Sequence, residues 1–128
     1  MAKISHHKRL TIVPASADVG DDDGLDTAIE LSASLISRLR EVLDRSDQPV
    51  DHIACVLTTR PGEAHEPAVQ AARSIVGALT LERGRRVRIN LLVTHDESAG
   101  EVGETLELLD GDHGGFFAGS TFDLRRTA

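Results

Sequence analysis

The chain has 128 residues, 40% of them hydrophobic, with three aromatic residues and a formal net charge of −7. This length suits one domain with its own core. The negative charge disfavours nonspecific binding to DNA, RNA or anionic membranes. No apolar run approaches the roughly 20 residues of a membrane span, and the N-terminus lacks the apolar region of a signal peptide. We therefore expect a cytoplasmic protein with no nucleic-acid or membrane partner.

Apolar runs typical of strands alternate along the chain with helical segments. The strand runs are Leu10 to Val13, Ile53 to Leu57, Val87 to Val93 and Ser120 to Leu124. The helical segments are 25–43, 66–83 and Glu101 to Leu109. The apolar strand residues are consecutive, as expected of parallel strands covered on both faces. The sequence predicts an α/β fold with four parallel strands in sequence order, the two long helices on one face and the short helix on the other.

The cysteine and histidine content indicates no special chemistry. Cys55 is the one cysteine, which excludes an internal disulfide, and within IACVL it is predicted to be a small buried hydrophobic residue. The six histidines show no ligand spacing such as His-x-x-x-His. We therefore predict no metal site.

Several short motifs occur in an order that resembles the C-terminal half of the short-chain dehydrogenase/reductase family. They are Thr58-Thr59 at the end of a strand run, His65 to Val69 at the start of a helix, Arg88-Ile89-Asn90, and Ala118-Gly119. The family has a Ser pair, Tyr-x-x-x-Lys, Arg-Val-Asn and Thr-Gly at these places. The resemblance is strongest over 52–124. It implies a truncated Rossmann-like sheet of about four strands with flanking helices, in a single domain over 1–128 that lacks the dinucleotide-binding half.

The resemblance also implies that the reacting groups are not retained. The family's catalytic Asn, Ser, Tyr and Lys correspond to Ser32, Thr59, His65 and Val69. Val69 cannot replace an ammonium group, and the family's Gly-rich turn, which seats dinucleotide phosphates, has no counterpart. We therefore expect no catalytic residue, no cofactor and no NAD or NADP binding. Any residual activity would be an oxidoreductase reaction of the family's type, carried out with a partner.

An assembly function follows from the same resemblance, because the family's two long helices pair across a two-fold axis. We expect a noncatalytic short-chain-dehydrogenase-like subunit that forms a homo-oligomer or docks on a full-length short-chain dehydrogenase. An unpaired edge at Leu10 to Val13 and a bare sheet face would favour such association. The helix residues divided between core and interface are Leu35, Ile36, Leu39, Ala72, Ile75, Val76 and Leu79.

The alternative is a residual oxidoreductase or a small-ligand-binding protein that uses the C-terminal edge of the sheet around His65. Open α/β sheets bind ligands beyond the carboxyl ends of their strands. The candidate ligand residues at this edge are Ser16, Thr58, Arg60, His95 and Asp96.

Overall fold

A computed structural model describes residues 5–6, 10–17, 25–44, 51–60, 66–83, 87–96, 98–111 and 117–125 of the chain. The strands in these ranges are β1 (Ser5–His6), β2 (Leu10–Ala17), β3 (His52–Thr59), β4 (Arg88–Thr94) and β5 (Thr121–Asp123). The helices are α1 (Leu25–Leu43), α2 (Glu66–Arg83) and α3 (Gly100–Asp110). The strands form one sheet in the order β1-β2-β3-β4-β5, in which β2 to β5 are parallel and β1 is antiparallel to β2. The predicted α/β fold with four parallel strands is confirmed.

The two long helices cover one face of the sheet. Along α1 the buried residues recur at three- and four-residue intervals, which places them on one side of the helix. They are Ala28, Leu31, Leu35, Leu39 and Val42. The last four of them pack in one apolar cluster with the buried residues of α2 and with Ile53, Cys55 and Leu57 of β3. Burial raises the pKa of the Cys55 thiol to about 12, so this side chain is the buried hydrophobic residue that the sequence predicts.

The opposite face is covered by α3 and by the chain around β5. Val102 and Leu109 of α3 pack with Ala54, Val56 and Leu92, and Phe117 and Phe122 lie against the same cluster. The two rings meet edge to face, with centroids 5.3 Å apart. The bare sheet face expected from the sequence is therefore wrong for the central strands, where Leu92 is 0% and Val56 is 3% exposed.

The expectation of an unpaired edge at β2 is also corrected. β1 pairs with its first half, with Ser5 opposite Ile12 and His6 opposite Thr11. Pro14 follows, and proline has no N–H to present at a strand edge. The Arg38 guanidinium of α1 donates a hydrogen bond to the Pro14 carbonyl at 2.5 Å. A short strand, a proline and an arginine thus satisfy or remove edge groups that would otherwise attract another strand.

The turn before β5 requires a glycine. Gly119 has a φ of +70°, a conformation that costs an L-residue roughly 1–2 kcal/mol. Its N–H donates to the Ile89 carbonyl at 2.7 Å, and the Leu91 N–H donates to the Ser120 carbonyl at 2.9 Å. The left-handed residue therefore allows the chain to turn and meet β4 in register.

Among the helices within the described ranges, none combines the length and the apolar character needed to cross a lipid bilayer.

Two glycine substitutions should change stability in opposite directions. Gly119→Ala should lower the free energy of unfolding by about 1 kcal/mol because of the positive φ at this position. A steric clash does not contribute, because the nearest side-chain atoms to an added Cβ lie at an ordinary 3.8 Å. Gly77→Ala should raise it by about 0.5–1 kcal/mol, because Gly77 lies inside α2 with nothing within 4 Å of an added Cβ. Urea unfolding followed by circular dichroism measures both, and equal effects would contradict the backbone argument.

Candidate functional site

Three hydroxyl residues lie side by side at the carboxyl ends of the parallel strands. The strand register places Ser16 of β2 beside Thr58 of β3, and Thr58 beside Thr94 of β4. Side chains alternate along a strand, so these residues share the α3 face with Ala54 and Val56. We call Ser16, Thr58 and Thr94 the hydroxyl row. It lies at the edge where parallel α/β sheets bind ligands.

The members of the hydroxyl row differ in how their oxygens are used. Ser16 is exposed. The Thr94 hydroxyl donates to the Asp96 carbonyl at 3.0 Å and accepts from the Asp96 N–H at 3.1 Å, which makes it part of a turn. The Thr58 Oγ1 is buried, and it has no hydrogen-bond partner within the described ranges. A buried hydroxyl without a partner is unfavourable. The Thr58 Oγ1 is therefore the atom of this edge best suited to bind a ligand group.

Thr59 and His95 link the ends of β3 and β4 on the other face. The His95 Nδ1 lies 3.0 Å from the Thr59 Oγ1 and 3.3 Å from the Thr59 carbonyl oxygen. A carbonyl oxygen only accepts hydrogen bonds, so a protonated Nδ1 satisfies both contacts. In that tautomer Nδ1 cannot take a proton from the threonine. The pair therefore links the ends of β3 and β4 and does not activate Thr59 as a nucleophile.

The turn after β4 is held by Asp96. Its Oδ1 accepts hydrogen bonds from the Ser98 N–H at 2.9 Å and from the Ser98 hydroxyl at 2.6 Å. These hydrogen bonds, the side-chain one first, hold the pKa of Asp96 below its usual value. The carboxylate is thus engaged in its own turn, which leads to α3. Arg60, after β3, is exposed at the same edge.

A charged cluster closes the edge beside β5. The Arg125 Nε and Nη2 donate to the two carboxylate oxygens of Asp123 at 2.9 and 2.7 Å, and Nη2 also donates to Glu66 at 3.2 Å. The side-chain hydrogen bond from Arg125 is the main reason that the pKa of Asp123 lies below its usual value. The same pairing raises the pKa of Arg125. This cluster ties the end of β5 to the start of α2.

The remaining predicted site residues do not gather at this edge in the described parts of the chain. The Ser32 hydroxyl donates to the Ala28 carbonyl of its own helix at 2.7 Å. Val69 is 3% exposed and belongs to the core beneath α2. His65 lies outside the described residues, so its predicted role remains a prediction. No group of three or more His, Cys, Asp and Glu side chains that could hold a metal ion occurs within the described ranges.

A second polar cluster, which the sequence interpretation missed, lies at the amino ends of β3 and β4. Asn90 is 0% and His52 2% exposed. The Asn90 Nδ2 lies 2.9 Å from the His52 Nε2 and donates to the Phe117 carbonyl at 3.0 Å, while Asn90 Oδ1 accepts from the Ser120 N–H at 3.0 Å. The signal for this cluster was an asparagine inside the apolar run INLLV, because a buried amide needs partners.

No family model matches the chain, and no curated protein matches it. Among solved structures, the chain is similar to BdcA (YjgI) from E. coli, with a TM-score of 0.64 and 17% sequence identity. The match covers 91% of this chain and 59% of that chain. The chain thus spans under two thirds of that protein's length. At this identity the similarity shows the fold alone.

These findings correct the assignment to the short-chain dehydrogenase/reductase family. No family model or curated protein supports it, and the solved structure gives a likeness of fold at 17% identity. The motifs on which it rested have local physical reasons in this fold. Asn90 supplies hydrogen bonds that hold the turn before β5, and Gly119 supplies the left-handed residue of that turn. Short matches of this kind report what a parallel sheet requires, so they did not establish ancestry.

Removing the arginine of the charged cluster should change the titration of its neighbour. In Arg125→Met we expect the pKa of Asp123 to rise, because the largest cause of its depression is the hydrogen bond from Arg125. A depressed carboxyl pKa stabilises the fold above the unfolded value of about 3.9, and that stability is lost as pH falls through the folded value. The stability difference between wild type and variant should therefore shrink in acid.

The carboxyl chemical shift of Asp123, followed by NMR against pH, measures this effect. Arg73→Met is a matched control, because Arg73 is an exposed arginine of α2 and is not one of the groups that shift the Asp123 pKa. Half-exposed ion pairs contribute under about 1 kcal/mol at neutral pH. An Asp123 titration that is unchanged in Arg125→Met would contradict the assigned cause.

Proposed function

We propose that this chain is a noncatalytic assembly subunit that pairs with a second copy of itself through the outer surface of α1. The observation that carries this proposal is a stripe of exposed apolar residues on that helix. Ile29 is 60% and Ile36 36% exposed, and they are seven residues apart, which places them on one side of the helix. Ala33 lies between them and is exposed. We call Ile29, Ala33 and Ile36 the α1 stripe.

The α1 stripe lies on the side of α1 that is next to α2. Arg40, four residues beyond Ile36, continues the stripe and forms an ion pair with Glu82 of α2 at 3.7 Å. At the adjacent ends of the two helices, Arg83 donates to Asp44 at 3.1 Å. The stripe therefore borders a two-helix surface, which offers more area to a partner than a single helix does.

The spacing of the α1 stripe suits a two-fold axis. In a symmetric interface, residue i of one copy contacts residue j of the other, and the reverse contact follows. Antiparallel pairing about a point between Ala33 and Ile36 sets Ile36 of each copy against Ala33 of its partner, and Ile29 against Arg40. Such complementarity of size permits close helix approach. A specific interface of this kind buries about 800 Å² per partner.

The noncatalytic part of the proposal is supported by how the polar side chains are used. Ser32 bonds to its own helix, Thr59 bonds to His95, and Val69 lies in the core. The Asp123 carboxylate is bound by both arms of the Arg125 guanidinium. Within the described ranges, the groups at the carboxyl edge thus act mainly on each other, whereas a catalytic group must reach a substrate.

A charge on the α1 stripe should abolish self-association. We expect the wild-type chain to sediment as a dimer at micromolar concentration and the double variant Ile29→Glu, Ile36→Glu to sediment as a monomer. Leu108→Glu is the matched control, because Leu108 is 41% exposed but lies on α3, on the other side of the sheet. The control should remain a dimer. Circular dichroism establishes that all three chains fold.

Salt should strengthen this association. Each copy carries a net charge of −7, so two copies repel each other, and higher ionic strength screens that repulsion. A folded wild-type chain that stays monomeric at every concentration and salt level would overturn the proposal. A dimer that persists in the double variant would place the interface elsewhere.

A second candidate function is small-ligand binding at the carboxyl edge, and the buried Thr58 Oγ1 without a described partner favours it. Arg60 and His95 lie at the same edge and suit an anion. A protein that binds a ligand in its folded state is stabilised by it. Thermal unfolding with inorganic phosphate as the probe should then show a higher Tm for the wild type.

The matched pair for this test is Thr58→Val and Ser37→Ala. Thr58→Val keeps the side-chain shape and removes the buried hydroxyl, so the phosphate effect on Tm should disappear. Ser37 is exposed on α1, and its replacement should leave the effect intact. A wild-type Tm that does not respond to phosphate would contradict anion binding at this edge.

A further inference from the structure

The orientation of the Asn90 side chain dictates the protonation state of His52. The amide oxygen accepts from the Ser120 N–H, and the amide nitrogen donates to the Phe117 carbonyl. These two bonds fix which end is nitrogen. The second N–H of that nitrogen points at the His52 Nε2, 2.9 Å away. The Nε2 must therefore accept, which requires a neutral imidazole with its proton on Nδ1.

A protonated His52 is incompatible with this arrangement. Its Nε2–H would face the Asn90 N–H, donor against donor. Rotating the amide to present its oxygen would break the bonds to Phe117 and Ser120. Because His52 and Asn90 are 2% and 0% exposed, water is poorly placed to replace the lost partners. Proton uptake at His52 thus acts against the attachment of residues 117–120 to β4.

We propose that His52 is an acid-sensitive latch, whose protonation releases the turn at residues 117–120 from β4 while the rest of the sheet stays folded. Within the described ranges, a small number of hydrogen bonds hold the turn. Besides the two bonds from Asn90, they are Gly119 N–H to the Ile89 carbonyl at 2.7 Å and Leu91 N–H to the Ser120 carbonyl at 2.9 Å. Beyond the turn, the Leu124 N–H bonds to the Val93 carbonyl at 2.7 Å, and Arg125 pairs with Glu66. The far end is therefore anchored independently.

The charges around His52 are Asp51 before it, Arg88 on β4 and Asp110 at the end of α3. On β2, the residue in register with His52 is the apolar Leu10. Burial and then Arg88 lower the pKa of His52, while Asp51 and Asp110 raise it, and the net direction is down. A histidine with a lowered folded pKa stabilises the closed form above the unfolded value of about 6.5, and that stability is lost as pH falls through the folded value. The latch therefore opens on acidification.

Amide hydrogen exchange, followed by NMR and corrected for the intrinsic rate, tests the latch. Below about pH 6.5, opening should increase up to about tenfold per pH unit until the folded pKa is passed. We expect Leu91, Gly119 and Ser120 to lose protection, while Leu124 and Val56 keep theirs. Loss of protection by all five together would indicate global unfolding and would overturn a local latch.

The variant His52→Gln retains an acceptor for Asn90 but cannot titrate in this range. Its turn amides should show no acid-dependent loss of protection. His95→Gln is the matched control, because His95 lies at the opposite end of the strands. In this variant the turn at residues 117–120 should still open in acid. An equal loss in His52→Gln and wild type would overturn the proposal.

A measurement on the wild type decides the question even if His52→Gln does not fold. The ring nitrogen shifts of His52 report its own titration, and at neutral pH they should show the Nδ1–H tautomer. The pH at which the turn is half open must lie in the acid part of the pH range over which His52 gains its proton. Opening without titration of His52, or titration of His52 without opening, would refute the latch.

Discussion

The two central strands, β3 and β4, have neither face open to water, and the rest of the fold follows from that constraint. Ile53, Cys55 and Leu57 alternate with Ala54 and Val56, so one face must be covered by α1 and α2 and the other by α3. With few aromatic residues, the covering layer is built from Leu, Ile, Val and Ala at close approach. Apart from Asn90, which is buried inside β4, polar residues in these strands lie at the ends, as His52, Thr58 and Thr59 do. The candidate sites are therefore strand-end features.

The architecture was readable because helical and strand periodicities are local. Consecutive apolar runs indicate parallel strands, and the apolar residues of 25–43 and 66–83 indicate helices. Their bounds, which came from the resemblance, are those of the structure. The features that protect the edge of β2 were not readable, because they depend on contacts distant in sequence. Arg38 reaches Pro14 across 24 positions, and no periodicity encodes that bond. The strand β1, two residues long, is too short to leave a pattern.

The sequence predicts where the candidate site lies, but not which of its atoms could bind a ligand. Topology places Ser16, Thr58 and Thr59 at one edge, and the sequence indicated as much. Which oxygen lacks a partner is a matter of side-chain geometry, so Thr58 could not be separated from Thr59 in advance. His52 was missed for a related reason, since a histidine at a strand start usually contacts water. Its burial depends on Asn90, 38 positions away, and on the turn that Asn90 holds.

The two proposed properties of the chain use opposite faces of the sheet. The α1 stripe lies on the outer surface of the α1 and α2 layer, whereas Phe117 packs in the cluster on the α3 side. His52, Asn90 and the turn at residues 117–120 share no hydrogen bond with Ile29, Ala33 or Ile36, whose side chains are apolar. Sites without shared partners contribute to stability almost additively. Acid should therefore open the turn without dissociating the proposed dimer. The monomeric variant Ile29→Glu, Ile36→Glu should in turn retain the latch, so the two proposals can be tested separately.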